Sequence, residues 1–474
     1  MGTLKRQAVN GVLWRIVETG GRQLIQLVIS MVLARLIMPE SFGAIAMLTI
    51  FTAIANTFVD SGFSTAIIRK TDRTQTDCST VFWFNIVVAL VCYALIFAIS
   101  PWVARFYDMP VLCPVLRVTA LSIVIGSFAG LQRSLITAAM NFKALAKLNI
   151  IALTISGIVG MAMAYKGFEV WALVAQSLVS SAVGTALLWY YSKWRPSFEF
   201  SRRSFREFFG FGSKLLASAL LDQIFTNLYG VVIGKVFRAS DLAFYNRANS
   251  LSMLASSTPT TVLQSVTFPT LCKLQDNDEA LRLNYRRIIR LSAFIVFPFS
   301  LGLGAAAYPA VNVLFSETWI QAAALLEIIV LGNMWYPIHA INLNLLQVKG
   351  RSDLFFRLEV IKKINTVLML CVTVPLGLKA ICWGGLYTSV VALFINTHYT
   401  GKLLGLGILE QCRDFRGSLL LSAAMFGVVR VVAILLGNGI LSLCACVAAG
   451  VAFYLAGAWL FRMPELKELR NLRK

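Results

Sequence analysis

Long apolar stretches dominate this chain, and short polar connectors separate them at nearly regular intervals. A helix needs about 20 mostly apolar residues to cross a hydrocarbon core, and a sliding window divides the sequence into about fourteen such stretches. They run over residues 12–37, 42–67, 80–100, 113–138, 148–165, 170–191, 208–236, 242–270, 291–314, 321–347, 359–377, 380–401, 417–436 and 440–461. The pattern predicts an all-α, polytopic membrane protein. The connectors are too short to hold a sizeable soluble domain.

Charge fixes the expected orientation. With the N-terminus cytoplasmic, 30 of the 43 Lys and Arg fall in cytoplasmic tails, loops and helix ends, against 4 outside (Arg105, Lys166, Arg238, Lys379). Lys349, Arg351, Arg357, Lys362 and Lys363 are counted together as one of the cytoplasmic groups. An error of one span would scramble this alternation. Both termini are therefore expected in the cytoplasm.

Composition agrees with the bilayer. Of 474 residues 58% are hydrophobic and 14% charged, where soluble domains carry about 45–50% and about 25%. A net charge of +21 would suggest nucleic acid in a soluble protein; here the positive-inside bias accounts for it, and no nucleic-acid partner is expected. The nine cysteines form no C-x-x-C pair, so neither a disulfide framework nor a zinc site is expected. The first apolar run is too long for a signal-peptide core and is kept as a span.

The connector Ser192 to Glu207 (SKWRPSFEFSRRSFRE) separates two six-span halves. At an offset of 200, Gln23 meets Gln223, Val32 meets Val232, Arg35 meets Lys235, and the PESFG run from Pro39 meets ASDLA from Ala239. Six spans per half is even, so both halves enter the membrane in the same sense, as a parallel repeat. The expected organisation is a six-helix lobe over 1–200, a second over 201–405, and two additional helices with a tail over 406–474.

An ionisable residue inside a span costs at least about 2.5–3.5 kcal/mol at mid-depth, so it usually faces a partner or a wet cavity. Nine cations remain inside spans: Arg15, Arg22, Arg35, Arg117, Arg133, Lys214, Lys235, Arg247 and Arg430. Four acids accompany them: Glu18, Asp60, Asp222 and Glu327. A cavity with surplus Arg and Lys suits an anionic substrate, phosphate above all. Several of these cations lie near predicted helix ends, where snorkelling to the headgroups is the plainer explanation. Glu18 and Arg22, at i and i+4, also have the option of neutralising each other. Arg22 and Asp222 occupy equivalent positions in the two halves, as a bridge between lobes or as a cavity pair. For Arg430, packing or headgroup contact is expected.

Pro259 and Pro337 interrupt predicted spans and are hinge candidates, with a static kink as the alternative. Gly126 to Gly130 matches G-x-x-x-G, a helix-packing pattern. His339 and His398 are too few for a metal site. No G-x-x-x-x-G-K-[ST], H-E-x-x-H or G-x-S-x-G occurs, which argues against an ATPase or a hydrolase. No enzymatic activity or cofactor is expected, beyond a coupling Na⁺ or H⁺.

The runs VLARLIMPESFGAIAML (Val32 to Leu48), FVDSGFSTAIIRK (Phe58 to Lys70) and LNLLQVKGRSDLFFRLEVIKK (Leu343 to Lys363) resemble the bacterial polysaccharide flippases. These are the Wzx-type exporters of the multidrug/oligosaccharidyl-lipid/polysaccharide superfamily, and the colanic-acid branch is nearest. The resemblance implies a V-shaped pair of six-helix lobes around a central cavity in a bacterial inner membrane. It implies that the substrate is an undecaprenyl-pyrophosphate-linked oligosaccharide repeat unit, moved from the cytoplasmic to the periplasmic leaflet by alternating access. It also implies a cationic cavity near Arg22, Arg35, Lys214, Lys235 and Arg247, with Glu18, Gln23, Asp60 and Asp222 as its polar or charge-paired members. The two extra helices, with Arg430, would lie along a groove for the lipid tail. Expected partners are the polyprenyl-pyrophosphate-linked glycan and membrane lipids, with association to a polysaccharide polymerase or glycosyltransferases. The rival readings are a Na⁺- or H⁺-coupled multidrug exporter of the same fold, which the surplus of cations over acids disfavours, and a non-transporting membrane scaffold.

Overall fold

The computed structural model describes residues 20–60 and 62–471, with a few side chains inside helices, Lys214 among them, outside that description. Among the described residues the chain is helical, without a strand. In order the helices are α1 (20–36), α2 (Pro39–Asp60), α3 (Phe63–Arg69), α4 (Gln75–Phe106), α5 (Leu112–Ala138) and α6 (Phe142–Tyr165). Next come α7 (Val170–Tyr191), α8 (Arg202–Val236), α9 (Ala239–Lys273), α10 (Asp278–Ala305), α11 (Ala307–Phe315) and α12 (Ile320–Asn333). The chain closes with α13 (Tyr336–Val348), α14 (Ser352–Thr373), α15 (Leu378–Leu404), α16 (Ile408–Leu436), α17 (Ile440–Leu460) and α18 (Pro464–Asn471).

Among the described residues, each predicted stretch falls on one helix or on two consecutive ones. Eleven segments among the described residues are long and apolar enough to cross a membrane. Large apolar side chains such as Leu441 and Trp459 are 80% and 74% exposed. Water would penalise such a surface; lipid does not. The repeat is visible in the helix boundaries: α1 ends at 36 and α8 at 236, while α2 begins at 39 and α9 at 239.

The chain divides into two compact units, Met1–Ala243 and Phe244–Lys474. In the first, α8 packs on α2, α3 and α4. Gly43 permits one close approach: a Cβ there would run into the backbone carbonyl of Ala239. The Ser192–Glu207 connector is fastened to the start of α4. Trp83 Nε1 donates to the Ser197 carbonyl at 2.9 Å, Trp194 Nε1 to Gln75 Oε1 at 2.7 Å, and the Ser201 amide to Thr80 Oγ1 at 3.0 Å. Thr74 and Asp77 cap α4 reciprocally, satisfying amides that the first turn leaves unpaired. Burial alone would lower the Lys70 ammonium, but hydrogen bonds to Asp77 and Glu207 outweigh it and hold it above its ordinary value.

In the second unit, α10 is the central element, packed on α12, α13, α16 and α17. The two helices beyond the repeat are fastened to it. Arg286 donates to Asp414 from Nε and Nη2 at 2.7–3.1 Å.

Several expected spans differ in detail. The 42–67 stretch breaks between α2 and α3, where Gly62 adopts the left-handed backbone that favours glycine (φ 68°). Asp60 is therefore the last residue of α2, beside that break. The 321–347 stretch is two helices, and Pro337 lies in the first turn of the second, which begins at Tyr336, where a missing N–H leaves no hydrogen bond broken. Helix α9 continues through Pro259. Hydroxyls around it bond back one turn, Ser256 to Ser252, Thr260 to Ser256 and Thr261 to Ser257 carbonyls at 3.1, 2.6 and 2.9 Å. One correction bears on function. Helix α14 begins at Ser352, not 359, so Lys362 and Lys363 lie ten and eleven residues inside it, about 15 Å along its axis. They are helix-interior cations rather than charges of a helix end.

Candidate functional site

The residues singled out from the sequence are spread along both units. Arg15 and Glu18 lie outside the described residues, and Lys214 sits on α8 with its side chain outside them. On α1, Arg22 and Arg35 are exposed and Gln23 is half-buried; thirteen residues of helix separate the two arginines by about 20 Å. Asp222 is exposed on α8, and Asp60 at the end of α2.

The remaining cations are engaged locally, Arg117 for instance with the Ser100 hydroxyl at 2.7 Å and the Phe97 ring. Lys235 Nζ donates to the Phe106 carbonyl at 2.5 Å and to Asp108 at 3.2 Å. The last carbonyls of a helix such as α4 are a natural seat for a cation. Arg247 stacks on two buried rings, its guanidinium carbon 4.6 Å from the centroid of Phe315 and 4.8 Å from that of Trp319. Arg430 donates to Glu327 and lies 5.5 Å from the Tyr308 ring. An ion pair, rather than headgroup contact, thus holds Arg430, and the same pair occupies Glu327.

A polar site lies elsewhere, within Phe244–Lys474. A cavity of about 270 Å³ opens between α13, α14 and α15. Helix α14 supplies Glu359, Lys362, Lys363 and Thr366, a stripe at helical spacing. Val360, Ile361, Ile364 and Leu368 form its other face, apolar and exposed. Such an amphipathic span turns its apolar face to lipid and its polar face to a wet interior. Lys362 Nζ donates to Glu359 at 2.5 Å. One acid against two lysines leaves the cavity net positive. At the foot of α14, hydrogen bonds from Arg351 hold the Asp353 carboxyl at about 2, below the usual carboxylate range.

Helices α13 and α15 close the cavity with His339, Thr388 and Ser389. His339 Nε2 lies 3.1 Å from Ser389 Oγ, and that hydroxyl donates to the Gly332 carbonyl at 2.8 Å. Behind it runs a buried ladder of amides. Asn342 and Gln411 exchange hydrogen bonds, both 3.0 Å, and Thr400 Oγ1 donates to Asn342 Oδ1 at 2.6 Å. Among the described residues no group of three or more His, Cys, Asp or Glu is placed to hold a metal.

A second opening in the same unit is apolar. A groove of about 380 Å³ runs between α10, α11, α16 and α17, past Gly302, Ala310, Val429, Val447 and Gly450. Small residues make room there without adding polar atoms.

Sequence reading missed the α14 stripe for a physical reason. Glu359, Lys362 and Lys363 depress local hydropathy, so the span start fell at 359 and the two lysines counted as charges of a helix end. The 359, 362/363, 366 spacing was the available signal.

Comparison with known proteins agrees with this architecture. Residues 32–324 match the family described as polysaccharide biosynthesis protein. The chain is 26% identical over 429 residues to the teichuronic acid biosynthesis protein TuaB of Bacillus subtilis (strain 168), covering 90% of this chain and 89% of that one. It is 25% identical over 369 residues to the lipopolysaccharide biosynthesis protein WzxC of Escherichia coli (strain K12), covering 76% and 74%. Its fold matches that of the lipid II flippase MurJ with a TM-score of 0.77 at 12% identity, over 98% of this chain and 100% of that one. The resemblance carried by the LARLIMPESFG run thus extends to the whole fold. With the fold of a solved flippase and a family match over more than half its length, the chain belongs to the polysaccharide biosynthesis protein family.

Proposed function

We propose that this protein flips polyprenyl-pyrophosphate-linked oligosaccharide units from the cytoplasmic to the outer leaflet of a bacterial inner membrane, for assembly of a surface polysaccharide. The observation that carries this reading is the net-positive cavity on α14, with Lys362 and Lys363 inside a helix of a transporter from the polysaccharide family. Moving a pyrophosphate and hydrated sugars through hydrocarbon unaided is prohibitive, because buried charges and hydroxyls lose their water. Lysines on the polar face of a span offset that loss for the phosphates, and Thr366, Thr388 and Ser389 suit sugar hydroxyls. The apolar groove between α10 and α17 suits the polyprenyl chain. Arg22 and Arg35, exposed on α1, are candidate contacts for the same head group as it moves by alternating access, with Pro259 and Pro337 as hinge candidates. Arg22→Ala is then expected to abolish export at normal protein level.

The multidrug-exporter alternative needs acids available to bind coupling cations. Glu327 is already paired with Arg430, and Glu359 with Lys362, which weakens it. The deciding experiment depletes the protein and follows lipid-linked oligosaccharide leaflet by leaflet. Complete units accumulating on the cytoplasmic leaflet, with loss of surface polymer, is the expected result. An unchanged distribution, with no substitute flippase present, would overturn the reading.

A further inference from the structure

The hydrogen bonds of His339 fix its resting state. Asn396 Nδ2 lies 3.3 Å from His339 Nδ1, and an amide nitrogen only donates, so Nδ1 is the acceptor and the proton sits on Nε2. Nε2–H then donates to Ser389 Oγ. The other half of the same amide is idle: Asn396 Oδ1 is buried without a hydrogen-bond partner, in a residue 1% exposed. A buried acceptor left unpaired is costly and calls for a reason. If a second proton arrives at Nδ1, a half-turn of the Asn396 amide brings Oδ1 round to accept it. The imidazole then donates from both nitrogens, to Oδ1 and to Ser389 Oγ. The protonated state is thus already provided with partners.

What decides between the two states is the charge around the ring. Helix α14 faces it with Glu359, Lys362 and Lys363 across the cavity. Helix α15 presents the uncharged Thr388, Ser389 and Asn396. Helix α10 brings Tyr285 to the shared core as its titratable group. With one acid against two lysines, a proton on His339 adds positive charge to a site that already has an excess. A phosphate seated on the lysines reverses that balance.

We propose that His339 is a proton-binding group coupled to anion occupancy, so that a phosphate or pyrophosphate group entering the cavity at Lys362 and Lys363 brings a proton onto Nδ1. This rests on the flippase reading for its physiological anion, and it adds a proton to each head group carried. Because linkage is reciprocal, a proton gradient would then bias anion binding on the two sides of the membrane.

The test uses the full-length chain in lipid nanodiscs and inorganic pyrophosphate as probe. Calorimetry near pH 6.5 in two buffers of different ionisation enthalpy counts protons taken up per anion bound. The wild type is expected to take up about one proton more than His339→Gln and, by the same linkage, to bind the anion about tenfold more tightly at this pH. Asn396→Leu, which withholds the second acceptor without removing a titratable group, should fall between them. Lys362→Gln should weaken binding by about tenfold or more. Equal proton counts in the wild type and His339→Gln would overturn the proposal, as would failure of pyrophosphate to bind the wild type. A protein that fails here yet still leaves lipid-linked units stranded on the cytoplasmic leaflet when depleted is a flippase without this proton site, so the two readings fail separately.

Discussion

Among the described residues of Met1–Ala243 the ion pairs sit at helix ends, while Arg117, on the shaft of α5, bonds to the Ser100 hydroxyl and stacks on Phe97. Lys70 bridges Asp77 in the first turn of α4 and Glu207 in the first turns of α8, at 3.0 and 3.2 Å. Lys235, in the last turn of α8, reaches the end of α4. The interior near α4 is instead aromatic, with Phe63, Phe82 and Phe208 at its centre. In Phe244–Lys474 ion pairs lie on helix shafts as well, Glu359 with Lys362, Glu327 with Arg430 and Arg286 with Asp414, beside helix-end pairs such as Lys349 with Asp278 and Arg351 with Asp353. The same membrane surrounds both units, so the difference concerns work rather than solvent. Charges at helix ends reach headgroups and water, and position the helices. Charges on helix shafts cost more and persist where they pair or line a cavity.

The sharpest way to break this comparison is Lys362→Gln. If shaft charge in the second unit serves the head group, removing this lysine forfeits about 2–5 kcal/mol of charged contact, a fall of thirtyfold or more in export. Glu359→Gln should cost far less, since it leaves the cavity more positive. Surface polymer is measured at matched protein level. An equal loss in both variants would mean that the pair only braces α14.

Next in size is Arg430→Met, which leaves Glu327 charged on the shaft of α12. The expected cost is about 2 kcal/mol, below that of a fully buried pair because the side chains stay 35% and 27% exposed. Adding Glu327→Gln should recover most of it. Thermal unfolding in detergent across the four-member cycle reads the coupling directly. A double variant as unstable as Arg430→Met would show that packing against Tyr308, not charge, is what was lost.

These two sites also mark how far the sequence could be read. Apolar length placed the predicted stretches on helices among the described residues, eleven of them segments long and apolar enough to cross a membrane, and the 36/236 and 39/239 boundaries follow the offset seen in PESFG and ASDLA. Periodicity needs only local information, and helices in lipid satisfy their backbone locally. The partner of Arg430 lies 103 residues away, and no local pattern encodes that pairing. The α14 cavity failed differently: its own charges pulled the predicted span start to 359, so that its lysines counted as helix-end charges. A hydropathy window averages over all faces of a helix, so a polar stripe beside an apolar one is diluted into a boundary.

A smaller effect tests the packing side of the first unit. Gly43→Ala places a methyl group against the Ala239 backbone, which cannot move aside like a flexible side chain. Overpacking of this kind costs about 1–2 kcal/mol, seen as a lower unfolding midpoint. Gly210→Ala meets nothing within 4 Å and should be neutral or slightly stabilising. Equal midpoints for the two variants would show that α2 and the start of α9 can separate without penalty.

The smallest effect is the most instructive for the comparison. Lys235 is among the cations that the repeat pattern suggests for a cavity, yet its ammonium is seated on the Phe106 carbonyl, Asp108 and the Phe106 ring. Asp108 is 83% exposed and Lys235 41%, so water screens the pair and it contributes about 0.5 kcal/mol. Lys235→Gln keeps a donor for the carbonyl and removes the charge. Export at matched protein level is expected to change by less than about twofold, against thirtyfold for Lys362→Gln. A large loss at Lys235 with an unchanged unfolding midpoint would move the head-group contact to the first unit. The helix-end charges would then be carrying substrate as well as positioning helices, and the division of labour drawn from the two units would fail.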